Sequence, residues 1–201
     1  MSNSIKILVL MVVFQLSLPF VTYSQELFKA KLGIKIKANN ETRRAKAIDR
    51  IIKGDKLIIY VKPEVDSYVY IVNSNNSGTS LLNRKPEDQT VKSEIGRKFP
   101  RQGSAYSPDG IDGAETIVII VSKDKNEKII KLFSQGAILN EKWLASEREI
   151  MKTSSLLSPF ELQDDMEFGG SLRGADPFWN KLRVSAGKAM ITQKFEFDVK
   201  K

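Results

Sequence analysis

Residues 116–121 read TIVIIV, a continuous run of mostly β-branched apolar side chains. Such side chains favour the pleated geometry of a strand. A strand with one face in water alternates apolar and polar residues, whereas this run does not alternate. It therefore predicts a strand that is covered on both faces and lies at the centre of the core.

Further apolar runs on both sides of this stretch predict strands at residues 32–38, 56–62, 68–72 and 191–199. Residues 68–82 read as a hairpin, because the loop 73–78 is rich in asparagine and ends in glycine. We expect the last three of these strands, together with 116–121, to form the core, with Val118 and Ile120 buried. The predicted fold class is mainly β.

One segment before the last strand has helical periodicity. Residues 140–153 place four apolar side chains on one face, those of Trp143, Leu144, Ile150 and Met151. Asn140 is positioned to cap this helix. The apolar stripe predicts packing against the sheet, and a helix that binds a partner is the alternative. The segments 83–115 and 158–188 are rich in turn-forming residues and predict surface loops.

The composition excludes many kinds of enzyme. The chain has 201 residues, of which 41% are hydrophobic and 28% charged, values typical of a small globular protein. It contains neither cysteine nor histidine. Disulfides, thiol nucleophiles, zinc sites built on cysteine or histidine, and catalytic triads that use histidine are therefore excluded. No cofactor is predicted.

The first 24 residues have the three parts of a secretory signal peptide. Lys6 supplies the charged part, an apolar stretch follows, and Thr22 and Ser24 are the small residues that precede the cut. The apolar stretch is shorter than the roughly 20 residues that a membrane-spanning helix needs. We expect cleavage between Ser24 and Gln25, with export to the periplasm or the cell exterior. No lipid anchor is expected, because a lipoprotein would have cysteine at the cut.

The chain is basic, with a formal net charge of +8. Removal of residues 1–24 takes away Lys6 and leaves about +7 on residues 25–201, which we expect to form one domain. Lysines outnumber arginines by 23 to 9 and are spread along the chain. This distribution is typical of a solvated surface rather than of a nucleic-acid groove. A positive field would also concentrate anionic glycans near an exported protein.

Three phrases occur in the chain in a definite order. Residues 54–73 read GDKLIIYVKPEVDSYVYIVN, residues 81–83 read LLN, and residues 113–122 read GAETIVIIVS. They resemble the Gly-Asp turn with two strands, the hairpin return and the Gly-x-Glu step into a central strand of the bacterial domain-of-unknown-function 4384 family. The resemblance covers residues 50–125, extends to the last strand at 189–199, and leaves 135–188 as an inserted helix and loop.

What this resemblance implies is an immunoglobulin-like antiparallel β-sandwich with one inserted amphipathic α-helix. Members of the family are exported or attached to other modules, and no activity of their own is established. The resemblance therefore supplies no catalytic residues for this chain.

Two serine–lysine pairs have the S-x-x-K spacing of some nucleophilic enzymes, Ser122 with Lys125 and Ser185 with Lys188. At the serine and lysine content of the chain, roughly two such spacings are expected by chance. Both pairs lie at predicted strand ends, whereas such enzymes place the pair on a helix. The spacing is thus weak support for an exported hydrolase.

Acidic residues cluster in two predicted loops, as Glu161, Asp164, Asp165 and Glu167 and as Asp109, Asp112 and Glu115. Either cluster is able to supply an acid/base pair or calcium ligands. Neither matches a calcium-binding loop, and acidic turn residues mostly serve turns and solvation. Residues 169–174 (GGSLRG) lack the strand–helix setting and the lysine of a phosphate loop. No metal site is predicted.

One basic segment stands out in the predicted loop 83–115. Its candidate binding residues are Arg97, Lys98, Arg101 and Tyr106. Exposed cations with neighbouring aromatic rings are able to hold an acidic glycan or an acidic protein surface. The alternative is a charged loop that only remains solvated.

These inferences favour a non-catalytic interaction or accessory module of the cell envelope. The expected partner is an envelope protein or an anionic glycan, and neither nucleic acid nor a membrane-spanning segment in residues 25–201 is expected. The alternative is an exported hydrolase that uses a serine–lysine dyad or paired carboxylates. A pocket lined by both Ser122 and Lys125 would favour the hydrolase.

Overall fold

A computed structural model describes residues 27–39, 41–93, 95–101, 103–108, 113–154 and 176–200. Strands dominate these residues, and the predicted mainly β class is confirmed. The predicted signal peptide and its cleavage site at Ser24 and Gln25 lie outside the described residues. None of the helices in this part of the chain is long and apolar enough to cross a membrane.

The strands form two sheets. In chain order they are β1 (Phe28–Ala38), β2 (Glu41–Arg44), β3 (Ile48–Ile52), β4 (Lys56–Pro63), β5 (Ser67–Asn75), β6 (Gly78–Leu81), β7 (Thr90–Val91), β8 (Arg97–Phe99), β9 (Gly113–Ser122), β10 (Arg183–Gly187) and β11 (Met190–Lys200). The helices are α1 (Pro86–Gln89), α2 (Glu127–Leu132) and α3 (Asn140–Thr153), with a 3-10 helix at Pro177–Lys181. Sheet I has the order β10–β1–β4–β8, with β2 paired to β1. Sheet II has the order β3–β11–β9–β5–β6, with β7 paired to β5.

The main core lies between the two sheets and contains apolar side chains from both. In β9, Ile117, Ile119 and Val121 face this core, whereas Val118 and Ile120 face the other side of sheet II, beneath α2 and α3. All five are at most 1% exposed. The prediction that residues 116–121 form a strand covered on both faces is confirmed, because β9 lies between β5 and β11 and under two helices.

The helix α3 packs on the outer side of sheet II, as its apolar stripe predicted. Trp143 is 2% exposed and lies beside Phe133, with the ring centroids 5.8 Å apart. Leu144 is 45% exposed, so its predicted place on the packed face is wrong. Adjacent helical residues point about 100° apart, and only Trp143 of this pair is directed at the sheet.

The predicted helix cap at Asn140 is wrong, and Asn126 caps a helix instead. Asn140 is the first residue of α3 and does not cap it, because its side chain accepts from the Thr79 hydroxyl and donates to the Asn75 carbonyl. Asn126 caps α2, a helix that the sequence did not predict, through a 3.1 Å bond from the backbone N of Ile129 to its Oδ1.

Parts of both predicted loops form regular elements. Val91 in β7 and Phe99 in β8 enter the main core, and this burial orders the segment predicted as the loop 83–115. In the second predicted loop, residues 155–175 lie outside the described part. The 3-10 helix and β10 follow, and β10 pairs antiparallel with β1. Strands β7 and β8 are too short for their periodicity to be recognised, and β10 (RVSAG) contains no apolar run.

The resemblance implies antiparallel sheets, but sheet II is mixed, because β3 runs parallel to β11. Only Ile51 of the three isoleucines in β3 is buried, while Ile48 and Ile52 are exposed. This edge strand therefore lacks the continuous apolar pattern that marks the central strands.

Candidate functional site

The outward side of sheet I concentrates positive charge. Successive residues of a strand point to opposite faces, and the apolar positions of β1 from Phe28 to Ile36 point into the main core. The alternate positions therefore point outward. Cations at the outward positions of β1, β4, β2 and β8 are Lys29, Lys31, Lys35, Lys37, Lys56, Lys62, Arg44 and Lys98. We call this surface the cationic face.

The described strands of sheet I contribute only positive charge to the cationic face. No outward position in the described strands of sheet I carries an acidic side chain. Across the β1–β4 pair, Lys31 lies opposite Lys62, and Lys37 lies opposite Lys56. Like charges directly opposite each other destabilise a sheet. Cations placed opposite each other add to one positive field, and such a field attracts anions.

Asp176 is an acidic residue that the structure places over the cationic face. Its Oδ2 accepts from the Tyr60 hydroxyl at 2.5 Å and lies 3.0 Å from Lys98 Nζ. Lys35 Nζ is 3.2 Å from the same oxygen. The side chain of Asp176 is 19% exposed. The carboxylate thus joins β1, β4 and β8 to the segment that opens the 3-10 helix.

The charges in this cluster are stable at neutral pH. Burial raises the pKa of Asp176, but the hydrogen bonds from Tyr60, Lys98 and Lys35 outweigh it and hold the pKa well below its usual range. The pKa of Tyr60 is raised by burial and by the bond to Asp176. Asp176 stays ionised and Tyr60 stays protonated. Neither group is suited to exchange protons near neutral pH. The contacts of Asp176 instead hold the start of the 3-10 helix against sheet I.

The 3-10 helix covers the middle of the cationic face. Phe178 and Trp179 pack on Tyr60, with ring centroids 4.8 and 5.0 Å away. Leu182 lies over Gly33, where an added Cβ would come within 3.2 Å of its Cδ2. Glycine at position 33 therefore allows the close approach of this segment to β1.

Asp176→Asn is expected to lower the free energy of unfolding at neutral pH by about 1–3 kcal/mol, because the charged acceptor for Tyr60, Lys35 and Lys98 is lost. A carboxylate whose pKa is lower in the folded than in the unfolded state stabilises the fold above its unfolded pKa. The difference between wild type and variant should shrink below about pH 4. Urea unfolding at neutral and acidic pH measures this, and a difference that does not change with pH would contradict the assignment.

The cations of the predicted basic loop are in ion pairs with acidic residues. Arg97 and Arg101 each place a nitrogen 2.6 Å from the same oxygen of Asp88. Lys98 pairs with Asp176 on the cationic face. The side chain of Arg97 is 20% exposed and that of Arg101 is 63% exposed. The expected loop is wrong here because Arg97–Phe99 is strand β8, paired with β4. Their binding role stays a prediction.

Tyr106 is an anchor rather than an exposed aromatic residue. Its backbone N donates to the Leu57 carbonyl at 2.9 Å, and the Leu57 N donates to the Tyr106 carbonyl at 2.8 Å. Its ring packs against the main core, and burial raises the pKa of its hydroxyl. These contacts hold residues 103–108 beside β4, at one end of the cationic face.

A groove of about 770 Å³ lies on the helical side of the molecule, and both Ser122 and Lys125 line it. Ser122 Oγ donates to the Asp124 carbonyl at 2.7 Å, and Lys125 Nζ pairs with Glu127 at 2.8 Å. The bond to Glu127 raises the pKa of Lys125. Each side chain is therefore bonded to a neighbour in the loop and not to the other, whereas activation of a serine nucleophile needs a base within hydrogen-bond reach.

The other candidates do not converge within the described residues. Ser185 is buried in β10, whereas Lys188 is exposed in the turn before β11. Glu115 is buried and accepts from Asn73 Nδ2 at 2.7 Å. In the described ranges, no three acidic side chains are arranged to hold a metal ion. The remaining candidates lie outside those ranges: Asp109, Asp112, Glu161, Asp164, Asp165, Glu167 and residues 169–174.

Sequence reasoning missed the cationic face and Asp176. The signal for the face is present, since residues 29–37 read KAKLGIKIK and put lysine at alternate positions, except where Gly33 replaces it. This period places the lysines on one side of a strand. No such signal exists for Asp176, which is separated from Lys35 by 141 positions.

Comparison of the chain with protein-family models, curated proteins and solved structures gives no match. The resemblance of residues 54–73, 81–83 and 113–122 to the domain-of-unknown-function 4384 family stays a prediction. The case for a function therefore depends on the contacts, burial and charge within this chain.

Proposed function

We propose that the protein is a non-catalytic, exported binding module of the cell envelope, and that its cationic face holds an anionic glycan. The row of outward lysines on β1, flanked by further cations and by no outward acidic residue in the described strands of sheet I, carries this proposal. The finer fold class that we propose is an immunoglobulin-like sandwich. The two packed sheets support it, and the parallel pair of β3 and β11 departs from it.

The spacing of the lysines suits a linear polymer. Alternate residues of a strand lie about 6.6–6.8 Å apart, so the lysines of β1 extend over roughly 26 Å from Lys29 to Lys37. The 3-10 helix interrupts this row at Gly33 and Lys35, and Lys29 and Lys31 lie before the interruption while Lys37 lies after it. Lysine carries a compact charge on a flexible stem, and it can follow a polymer whose anionic groups differ in position. The rigid sheet holds the stems in line.

A glycan fits this surface better than a lipid bilayer does. A face that binds membranes normally inserts large apolar side chains. The large exposed apolar residues of the described chain are Ile48, Ile52, Val65, Ile95, Leu139 and Leu144. None of them lies in a strand of sheet I.

An exported hydrolase is the second candidate, supported by the shared groove of Ser122 and Lys125. We place it second for two reasons. The Ser122 hydroxyl already donates to a carbonyl, and Glu127 favours the protonated form of Lys125.

Retention on immobilised heparin, a sulfated glycan, tests the proposed function. The purified protein is expected to bind at low ionic strength and to elute as salt rises, because exposed charges are screened over about 8 Å at physiological ionic strength. The triple variant Lys29→Gln, Lys31→Gln, Lys62→Gln is expected to bind about tenfold more weakly.

A matched variant separates the cationic face from the net charge. Lys128→Gln, Lys142→Gln, Lys152→Gln removes the same charge from exposed positions on the helical side, and it is expected to bind nearly as well as wild type. An equal loss of retention in the two variants would reject the cationic face as the binding surface. Thermal unfolding of both confirms that each remains folded.

A further inference from the structure

A cavity of about 430 Å³ opens at one end of the cationic face. Its described lining consists of Lys37, Lys56, Ile58, Gly103, Ser104 and Ala105. The two lysines come from adjacent strands of sheet I, and the last three residues come from the segment that Tyr106 anchors. Within the described residues, the lining therefore contains two cations and a hydroxyl and no acid.

Among the described residues, no carboxylate pairs with either of the two lysines. Lys37 and Lys56 are directly opposite in the β1–β4 register, where like charges repel. Neither is in an ion pair with a described residue. Lys56 Nζ donates instead to Ser107 Oγ at 2.8 Å. An anion between the ammonium groups would replace this repulsion by attraction.

The part of the lining that residues 103–105 supply is anchored to β4 through Tyr106. Tyr106 follows Ser104 and Ala105 directly, exchanges two backbone hydrogen bonds with Leu57, and packs its ring against the main core. Ser104 is consequently held beside β4 before any ligand arrives. A site whose donors are already positioned loses little conformational entropy on binding.

We propose that this cavity binds a phosphate or sulfate ester group, and the inference rests on the proposed function because it names the anionic group of the glycan. Such an ester has three terminal oxygens in a tetrahedral arrangement, and they can accept from two ammonium groups and the Ser104 hydroxyl together. A carboxylate has two oxygens in one plane and engages fewer of these donors. The volume lies within the range of about 300–1,000 Å³ for small-molecule sites, which leaves room for the sugar that carries the ester.

Three hexoses that differ in their anionic group test the preference: glucose 6-phosphate, glucose 6-sulfate and glucuronate. Each is titrated into isotope-labelled protein, and the backbone amide shifts of Leu57, Ser104 and Tyr106 are followed. At least one ester is expected to bind about tenfold or more tightly than glucuronate. Comparison of the two esters shows which is preferred, and equal affinity for glucuronate would overturn the proposal.

Paired variants locate the site. Lys37→Gln, Lys56→Gln is expected to weaken ester binding by about tenfold. The matched control is Lys31→Gln, Lys62→Gln, which removes the other opposed lysine pair from the same two strands and is expected to keep most of the affinity for the ester. The cavity variant should unfold at or above the wild-type temperature, because a like-charge pair is removed. Loss of binding would then not reflect loss of the fold.

The heparin experiment distinguishes this inference from the proposed function. If the Lys37 and Lys56 variant bound the ester with wild-type affinity, the cavity would be excluded as the binding site, regardless of how strongly the variants are retained on heparin. If the Lys29, Lys31 and Lys62 variant was still retained more weakly on heparin than wild type, the cationic face would remain the proposed glycan-binding surface, without this subsite. If no variant affected heparin, the proposed function would fail by itself.

Discussion

Truncation of Ile120 to alanine is expected to lower the free energy of unfolding by about 2–5 kcal/mol. Ile120 is fully buried in β9 and packs with Tyr70 and Trp143 in the cluster beneath the helices. Strands β5 and β11 hold β9 from both sides, so the surrounding structure has little freedom to collapse into the space that is left. Urea unfolding measures the loss.

Two further variants test whether both faces of β9 are covered. Ile119→Ala removes the neighbour that faces the main core, and a loss of similar size is expected because both faces of β9 are covered. Ile48→Ala changes a 75% exposed isoleucine of the same sheet and should alter stability by less than about 0.5 kcal/mol. A small effect of either β9 variant would show that one face of this strand is open to water.

Trp143→Ala is expected to cost about 3–5 kcal/mol, since its ring is the buried contact between α3 and sheet II. The next residue provides the control. Leu144 is 45% exposed, and its truncation should cost far less. Similar losses for the two residues would mean that α3 is not held by Trp143. Circular dichroism is the suitable probe, because the variant removes one of the two tryptophans of the chain.

Trp143→Phe separates packing from the polar edge of the ring. The Nε1 of Trp143 is buried and has no acceptor among the described residues. Phenylalanine keeps most of the apolar contact and removes this donor, so the variant should retain most of the stability lost in Trp143→Ala. Trp179 then remains as the single tryptophan, and its fluorescence reports on the 3-10 helix over the cationic face.

The candidate site was less predictable than the core. Arg97 and Lys98 are adjacent in the chain and suggested one patch, yet they point to opposite sides of β8 and pair with Asp88 and Asp176. Alternation along a strand separates neighbours in sequence. Counting charges over a short stretch of sequence therefore assigns Arg97 and Lys98 to one patch unless the strand is recognised. Strand β8 is difficult to recognise because it is only three residues long.

By itself, the sequence determined the central strands, the packed helix and the exclusion of cysteine and histidine chemistry. Apolar periodicity is local, so TIVIIV at 116–121 and the spacing around Trp143 can be interpreted without knowledge of any partner. Only the tertiary structure decided that β1 lies beside β4, that Lys37 faces Lys56, and that Asp176 reaches Lys35. An alternating pattern shows which face of a strand a residue occupies, but it does not show which distant strand lies beside it.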